Sequence, residues 1–179
     1  MDAILVETIF DTLNAKAAIE AHRRAAKDLP LMLSMTVSDN SGRTLSGQTV
    51  EAFCSTVAYA QPLSIGMNCG LGPEGMIPYV RRMQACLPHC YISCHPNAGL
   101  PNAMGEYDIS PDEMAQQMRQ LIEDDIAQII GGCCGTTPEH IRALAALSQQ
   151  VKRKKRNESQ QTAENAGLCL TGLDRFVFT

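Results

Sequence analysis

The sequence predicts an α/β fold, a parallel β-sheet assembled from repeated strand–helix units. Three observations carry this. Short, continuous apolar runs recur along the chain, as strands buried on both faces require. Each run is followed by an amphipathic stretch that opens with helix-start residues. The unit returns roughly every 30 residues, the length of a strand, its crossover helix and the loops between them. Two architectures share this pattern, a doubly wound open sheet and a (β/α)8 barrel. Many doubly wound sheets carry a Gly-x-Gly-x-x-Gly phosphate turn, and none occurs here.

In chain order, Ala3-Ile4-Leu5-Val6-Glu7 reads as the first strand, with an Ala-rich helix over about 12–27. Residues 31–37 form the second strand, followed by a polar loop over 38–46 and a helix over about 49–60. The third strand spans 63–68, and its helix, started by Pro73, runs to 86. The fourth spans 90–94 and leads into a long loop, 95–109. Ser110-Pro111-Asp112-Glu113 then caps a helix reaching 124. The fifth strand spans 127–131, and a last helix runs from 138 to about 153. Thr136-x-x-Glu139 supplies its capping box, with Pro138 in the first turn, where a missing N–H costs nothing.

Beyond that helix the composition changes. The run Lys152-Arg153-Lys154-Lys155-Arg156 and the polar residues after it have no apolar period, so 152–167 reads as a linker. The basic run is read as a solvated helix end, favourable at the negative pole of the macrodipole. An apolar pattern resumes at Leu168, so 168–179 reads as the start of a following domain, with 1–151 as the barrel part.

With 179 residues, 45% of them hydrophobic, the chain can enclose one sizeable core. A net charge of −4 and the absence of Trp argue against nucleic acid as a partner. No run of 18 apolar residues marks a membrane span. Residues 1–7 lack the basic region of a signal peptide, so the eight cysteines are expected as free thiols in the reducing cytoplasm.

Two of those cysteines are adjacent, in Gly131-Gly132-Cys133-Cys134-Gly135-Thr136-Thr137-Pro138-Glu139-His140. They occupy a strand-to-helix turn, where α/β proteins place their chemistry. The turn after the third strand, Asn68-Cys69-Gly70-Leu71-Gly72-Pro73, has the same design. In a parallel barrel both turns open on one face, and the three thiols come from next-but-one strands. Three thiolates without a fourth protein ligand match a catalytic zinc site holding an open position. A substrate thiol can fill it and remain ionised at neutral pH. The plain alternative for the pair is two buried small residues or a vicinal disulfide. Cys54, Cys86, Cys90 and Cys94 are expected to fill the core, Cys169 is incidental, and His140 supports the helix cap.

Together with Gly66-Met67-Asn68-Cys69 and Ser93-Cys94-His95-Pro96-Asn97-Ala98-Gly99-Leu100-Pro101-Asn102, the paired-cysteine segment resembles the zinc signature of the homocysteine S-methyltransferase family. Residues 7–16 and 41–48 resemble the same family, and the likeness covers about 1–150. Within the family it is nearest to the homocysteine-binding module of cobalamin-dependent methionine synthases. The tail Leu170-Thr171-Gly172-Leu173 resembles the run into their methyltetrahydrofolate-binding module.

The resemblance implies a (β/α)8 barrel of which this chain supplies the fourth to eighth units, a partial barrel with three front units outside it. It implies Zn2+ on Cys69, Cys133 and Cys134, with no catalytic residue beyond the metal site. It implies two substrate-site residues: Glu7 as a contact for the homocysteine amino group, and Asn97 as a loop amide near the metal, either filling its fourth position before substrate binds or stabilising the loop. The methyl donor would be methylcobalamin bound by another module, beside a methyltetrahydrofolate-binding module, and the product methionine. The alternatives are a stand-alone methyltransferase using betaine or S-methylmethionine, and a non-catalytic zinc- or redox-binding fragment.

Overall fold

The computed structural model of the chain describes residues 1–152 and 169–177. Its main sheet has five parallel strands, β1 (Ile4–Ile9), β2 (Leu31–Met35), β3 (Ser64–Asn68), β4 (Tyr91–His95) and β5 (Ile129–Ile130). The helices between and after them are α1 (Thr12–Ala25), α2 (Val50–Val57), α3 (Pro73–Cys86), α4 (Pro111–Glu123) and α5 (Pro138–Gln150).

Strand order in space equals strand order in sequence, β1 to β5. A doubly wound sheet reverses its order at a switch point, and a barrel does not. The sequential order therefore decides between the two architectures in favour of part of a (β/α)8 barrel. Right-handed crossovers put every helix on one side of such a sheet. Leu33, Met35, Ile65, Met67, Ile92 and Cys94 are fully buried on that side, packed with Phe53, Met76, Met83, Met114 and Met118 from the helices. Each large apolar side chain buried this way contributes about 1.5–3 kcal/mol.

The alternate residues make the opposite face. Ser34, Gly66 and Ser93 are in register across β2, β3 and β4. A Cβ on Gly66 would collide with Ser93, so this layer admits only small residues. On the same face Leu5 and Tyr91 are 43% and 51% exposed, whereas Ser34, Ser64 and Ser93 are buried.

Two strand boundaries and one helix cap depart from the expected ones for local reasons. β1 continues to Ile9 through a bulge between Val6 and Ile9. β5 keeps only two paired residues, because Ile126 and Ala127 turn back to hydrogen-bond the carbonyl of Leu121 at the end of α4. The capping box of α5 is one residue further on than Thr136 and Glu139. Thr137 is the N-cap, and its N–H donates to His140 Nδ1 at 3.1 Å. His140 Nε2 then carries the ring proton and donates to the Ile109 carbonyl at 2.9 Å. Thr136 faces backwards, its hydroxyl donating to the Cys133 carbonyl at 2.7 Å.

From residue 153 the expected linker lies outside the described residues. Residues 169–177 form an antiparallel hairpin of β6 (Cys169–Thr171) and β7 (Arg175–Val177). It rests against α2, where the Thr49 N–H donates to the Leu173 carbonyl at 2.8 Å and Arg43 meets Asp174 at 3.0 Å. Among the described residues, no helix is long and apolar enough to cross a membrane.

Candidate metal centre

β3 ends in a reversal that no ordinary loop requires. Cys69 has φ +58° and Gly70 has φ +74°, two successive residues in the left-handed region. Glycine adopts that conformation freely, whereas at Cys69 it costs about 1–2 kcal/mol. The turn is held by Cys69 N–H on the His95 carbonyl at 3.1 Å and Leu71 N–H on the Cys69 carbonyl at 2.8 Å.

The cysteine pair is fixed by the loop after β4. Cys133 N–H donates to the Pro96 carbonyl at 2.8 Å, and Ala98 N–H donates to the Cys134 carbonyl at 2.9 Å. Cys134 N–H donates to the Asn97 side-chain oxygen at 3.1 Å. Gly135, with φ +76°, closes the turn, and a Cβ there would collide with the Tyr107 ring.

These two turns bring three sulfurs together. The Sγ atoms of Cys69, Cys133 and Cys134 all lie within 4.8 Å of one another, and none is in a disulfide. Cys69 to Cys134 is 3.6 Å, and Cys133 to Cys134 is 3.9 Å. Tetrahedral zinc with Zn–S of about 2.3 Å places its sulfurs about 3.8 Å apart. The spacing therefore fits that ion. All three cysteines are partly exposed, which leaves the group approachable from solvent.

The electrostatics fit as well. Burial, with the neighbouring sulfurs Cys69 and Cys134, pushes the Cys133 thiol up to about 11. Cys134 is lowered, chiefly by its hydrogen bond from Cys69. Three thiols gathered this closely favour a soft divalent cation as the compensating charge.

The other expected site residues divide. Asn97 is 4% exposed beside the pair, with its oxygen engaged by Cys134 N–H, the role of a loop-stabilising amide. Glu7 is exposed on β1 outside the sulfur group, and its charge bears on His95. Burial pushes the His95 imidazole below its usual value, while Glu7 opposes that shift.

One residue escaped the sequence reading. Asn68, 1% exposed, links three strands from the end of β3. Its side-chain oxygen accepts the Thr8 N–H at 2.9 Å and the Ser34 hydroxyl at 2.8 Å. Its amide donates to Thr8 Oγ1 at 2.8 Å and faces the Cys133 sulfur at 4.0 Å. Thr8 is held by these bonds at φ +58°, a rare conformation for a β-branched residue. An amide ending an otherwise apolar strand, directly before Cys69, was the available signal.

Comparison with known proteins adds to this geometry. The family described as Homocysteine S-methyltransferase matches residues 1–148. Among solved structures, the apo form of the homocysteine methyltransferase MmuM from Escherichia coli superposes with a TM-score of 0.62 at 23% sequence identity. That match covers 82% of this chain and 49% of MmuM, so the chain spans about half the length of that enzyme. The likeness is one of fold. With the family matched over most of its length, the chain belongs to the homocysteine S-methyltransferase family.

Proposed function

We propose that this chain is the homocysteine-activating part of a zinc-dependent methyltransferase, with Cys69, Cys133 and Cys134 as the ligands of Zn2+. The observation that carries the proposal is the convergence of three partly exposed thiols within 4.8 Å from two next-but-one strand ends. Zinc bound there would supply the positive charge that keeps a substrate thiol ionised at neutral pH.

The chain's own groups do the rest. Asn97 and the Pro96 carbonyl hold the pair in place through the backbone N–H groups of Cys134 and Cys133. Asn68 ties the metal side of the barrel to β1, and so fixes the strand that carries Glu7. The Glu7 carboxylate, exposed on β1, is available to pair with the amino group of homocysteine.

The reading extends to the type of enzyme. The methyl donor is methylcobalamin held on another module, as in cobalamin-dependent methionine synthases, and methionine is the product. Residues 152–167 are then a linker toward a methyltetrahydrofolate-binding module, whose first residues are 168–179. The eight cysteines suit a reducing, cytoplasmic setting.

Calorimetry tests the substrate. The zinc-loaded chain should bind homocysteine with release of a proton and ignore homoserine, which lacks the sulfur; equal binding of the two would sink the proposal. Supplying methylcobalamin, betaine or S-methylmethionine then identifies the donor. Methionine formed only from methylcobalamin supports the methionine synthase assignment, and formation from either of the others replaces it with a stand-alone enzyme.

A further inference from the structure

A second gathering of thiols lies on the far side of the helices, where the C-terminal hairpin meets α2 and α3. Cys54 of α2 is fully buried, while Cys86, the last residue of α3, is partly exposed. Cys169 opens β6, and Arg175 opens β7. Arg175 Nε donates to the Cys169 sulfur at 3.3 Å. A half-open cavity of about 220 Å³ runs between these elements, lined by Cys86, Cys169, Arg175, Thr171 and Ser55.

Cys86 is the reactive member by its surroundings. The neighbouring Cys54 thiol and, more weakly, the Arg175 guanidinium favour its ionised form. Burial and the Glu51 carboxylate act against these, and the Cys86 thiol is still lowered to about 7. Glu51 is itself engaged by the Arg82 fork. Cys54 is driven the other way, by its bond to Cys86 and by burial, so it keeps its proton and remains a donor. Cys86 and Arg175 thus stand at the wall of an accessible cavity, with the Cys54 thiol buried beside Cys86. Cys86 packs against the core as expected, and it also has the environment of a reactive cysteine.

We infer that Cys86 is a thiol–disulfide exchange site for a low-molecular-weight disulfide bearing carboxylates, with Cys54 and Arg175 as its positioning residues. The Cys86 thiolate attacks one sulfur of the disulfide. A new S–S bond forms to Cys86 as the reagent's own S–S bond breaks. The electron pair leaves on the distal sulfur, which departs as a thiolate and takes a proton from water. The disulfide is the oxidant, and half of it stays on the protein. A carboxylate on the bound half pairs with Arg175, in the planar geometry that guanidinium favours.

The rate advantage is modest. At pH 7 about half of the Cys86 thiol is ionised, against roughly 3% for an ordinary cysteine. The lower basicity costs roughly fivefold in nucleophilicity, which leaves an advantage of about threefold.

Oxidised glutathione is the probe, applied to the full chain with zinc present and followed by site-resolved peptide mass spectrometry. Cys86 should acquire the glutathionyl group first, about threefold faster than an ordinary cysteine, with a pH–rate midpoint near 7. Arg175→Gln should raise that midpoint and slow the reaction. Cys54→Ala should do the same, while Cys54→Ser, which retains a donor, should restore the rate. Modification confined to Cys69, Cys133 and Cys134 would overturn the inference. So would a Cys86 rate that Arg175→Gln leaves unchanged.

Discussion

The protein holds two sets of three cysteines, and they are organised by different means. Cys69, Cys133 and Cys134 sit on backbone turns at the ends of β3 and β5, and main-chain hydrogen bonds and glycines at positive φ aim them at one another. Cys54, Cys86 and Cys169 come from two helices and a hairpin; Cys54 is the main influence on the Cys86 thiol, with the Arg175 guanidinium adding to it, and Arg175 Nε donates to the Cys169 sulfur. Among the described residues, only the first set forms a metal-sized group, while in the second a guanidinium donates to one of the sulfurs. On the two proposals above, position in the barrel assigns one residue type to two tasks: strand-end turns would make a ligand set, and a helix-end thiol beside arginine a nucleophile.

The largest test of this contrast removes one ligand. Cys133→Ser should weaken zinc binding by at least about a hundredfold in chelator competition, since each ligand carries a few kcal/mol of a typical site. Cys86→Ser should leave zinc affinity unchanged. Equal losses would erase the distinction between the two sets.

Acidity comes next. Zinc must displace the proton from Cys133, whose thiol is pushed up to about 11. Affinity therefore rises with pH throughout the neutral range and falls on acidification, by at least about tenfold per pH unit. The Cys86 exchange rate should fall only below its midpoint near 7 and level off above it. Titrations of both between pH 6 and 9 would separate a ligand set that must lose protons from a thiol already half ionised.

Asn68→Ala sharpens the comparison from the side of the supporting residues. It removes the bonds that hold Thr8 and the amide facing Cys133. A drop of roughly tenfold in zinc affinity is expected, the scale of a lost supporting contact at a metal site. Cys86 reactivity should not respond, and a parallel loss there would point to global unfolding.

The smallest expected effect is a backbone one. Gly135→Ala and Gly105→Ala both place a side chain at positive φ, costing about 1–2 kcal/mol each. Only Gly135 also meets a neighbour, the Tyr107 ring, whereas Gly105 faces open space. Thermal melts should therefore rank Gly135→Ala as the more destabilising of the two, and zinc affinity should fall in that variant alone.

Much of this was legible in the chain itself, for identifiable reasons. The parallel sheet could be read because continuous apolar strands such as Ile65 and Met67 alternate with capped helices. The convergence of the three sulfurs could be read because Cys69 and the pair both stand between an apolar run and a Pro-started helix. Long-range bonds were hidden. Asn68 reaches Thr8 across 60 positions, and no local pattern announces that contact. Thr136 and Thr137 are equally good caps in sequence, and only the backward bond of Thr136 to Cys133 decides between them. Cys86 was expected in the core because its helix is apolar on one face. The cavity beside it exists through the hairpin, whose seat on α2 depends on Arg43, Thr49 and Thr56.

Zinc K-edge X-ray absorption of the zinc-loaded chain, before and after addition of homocysteine, tests the proposed function most directly. Three sulfur neighbours rising to four are predicted, with Cys69, Cys133 and Cys134 supplying the first three. Four sulfurs before homocysteine arrives, or a count that homocysteine does not change, would contradict it.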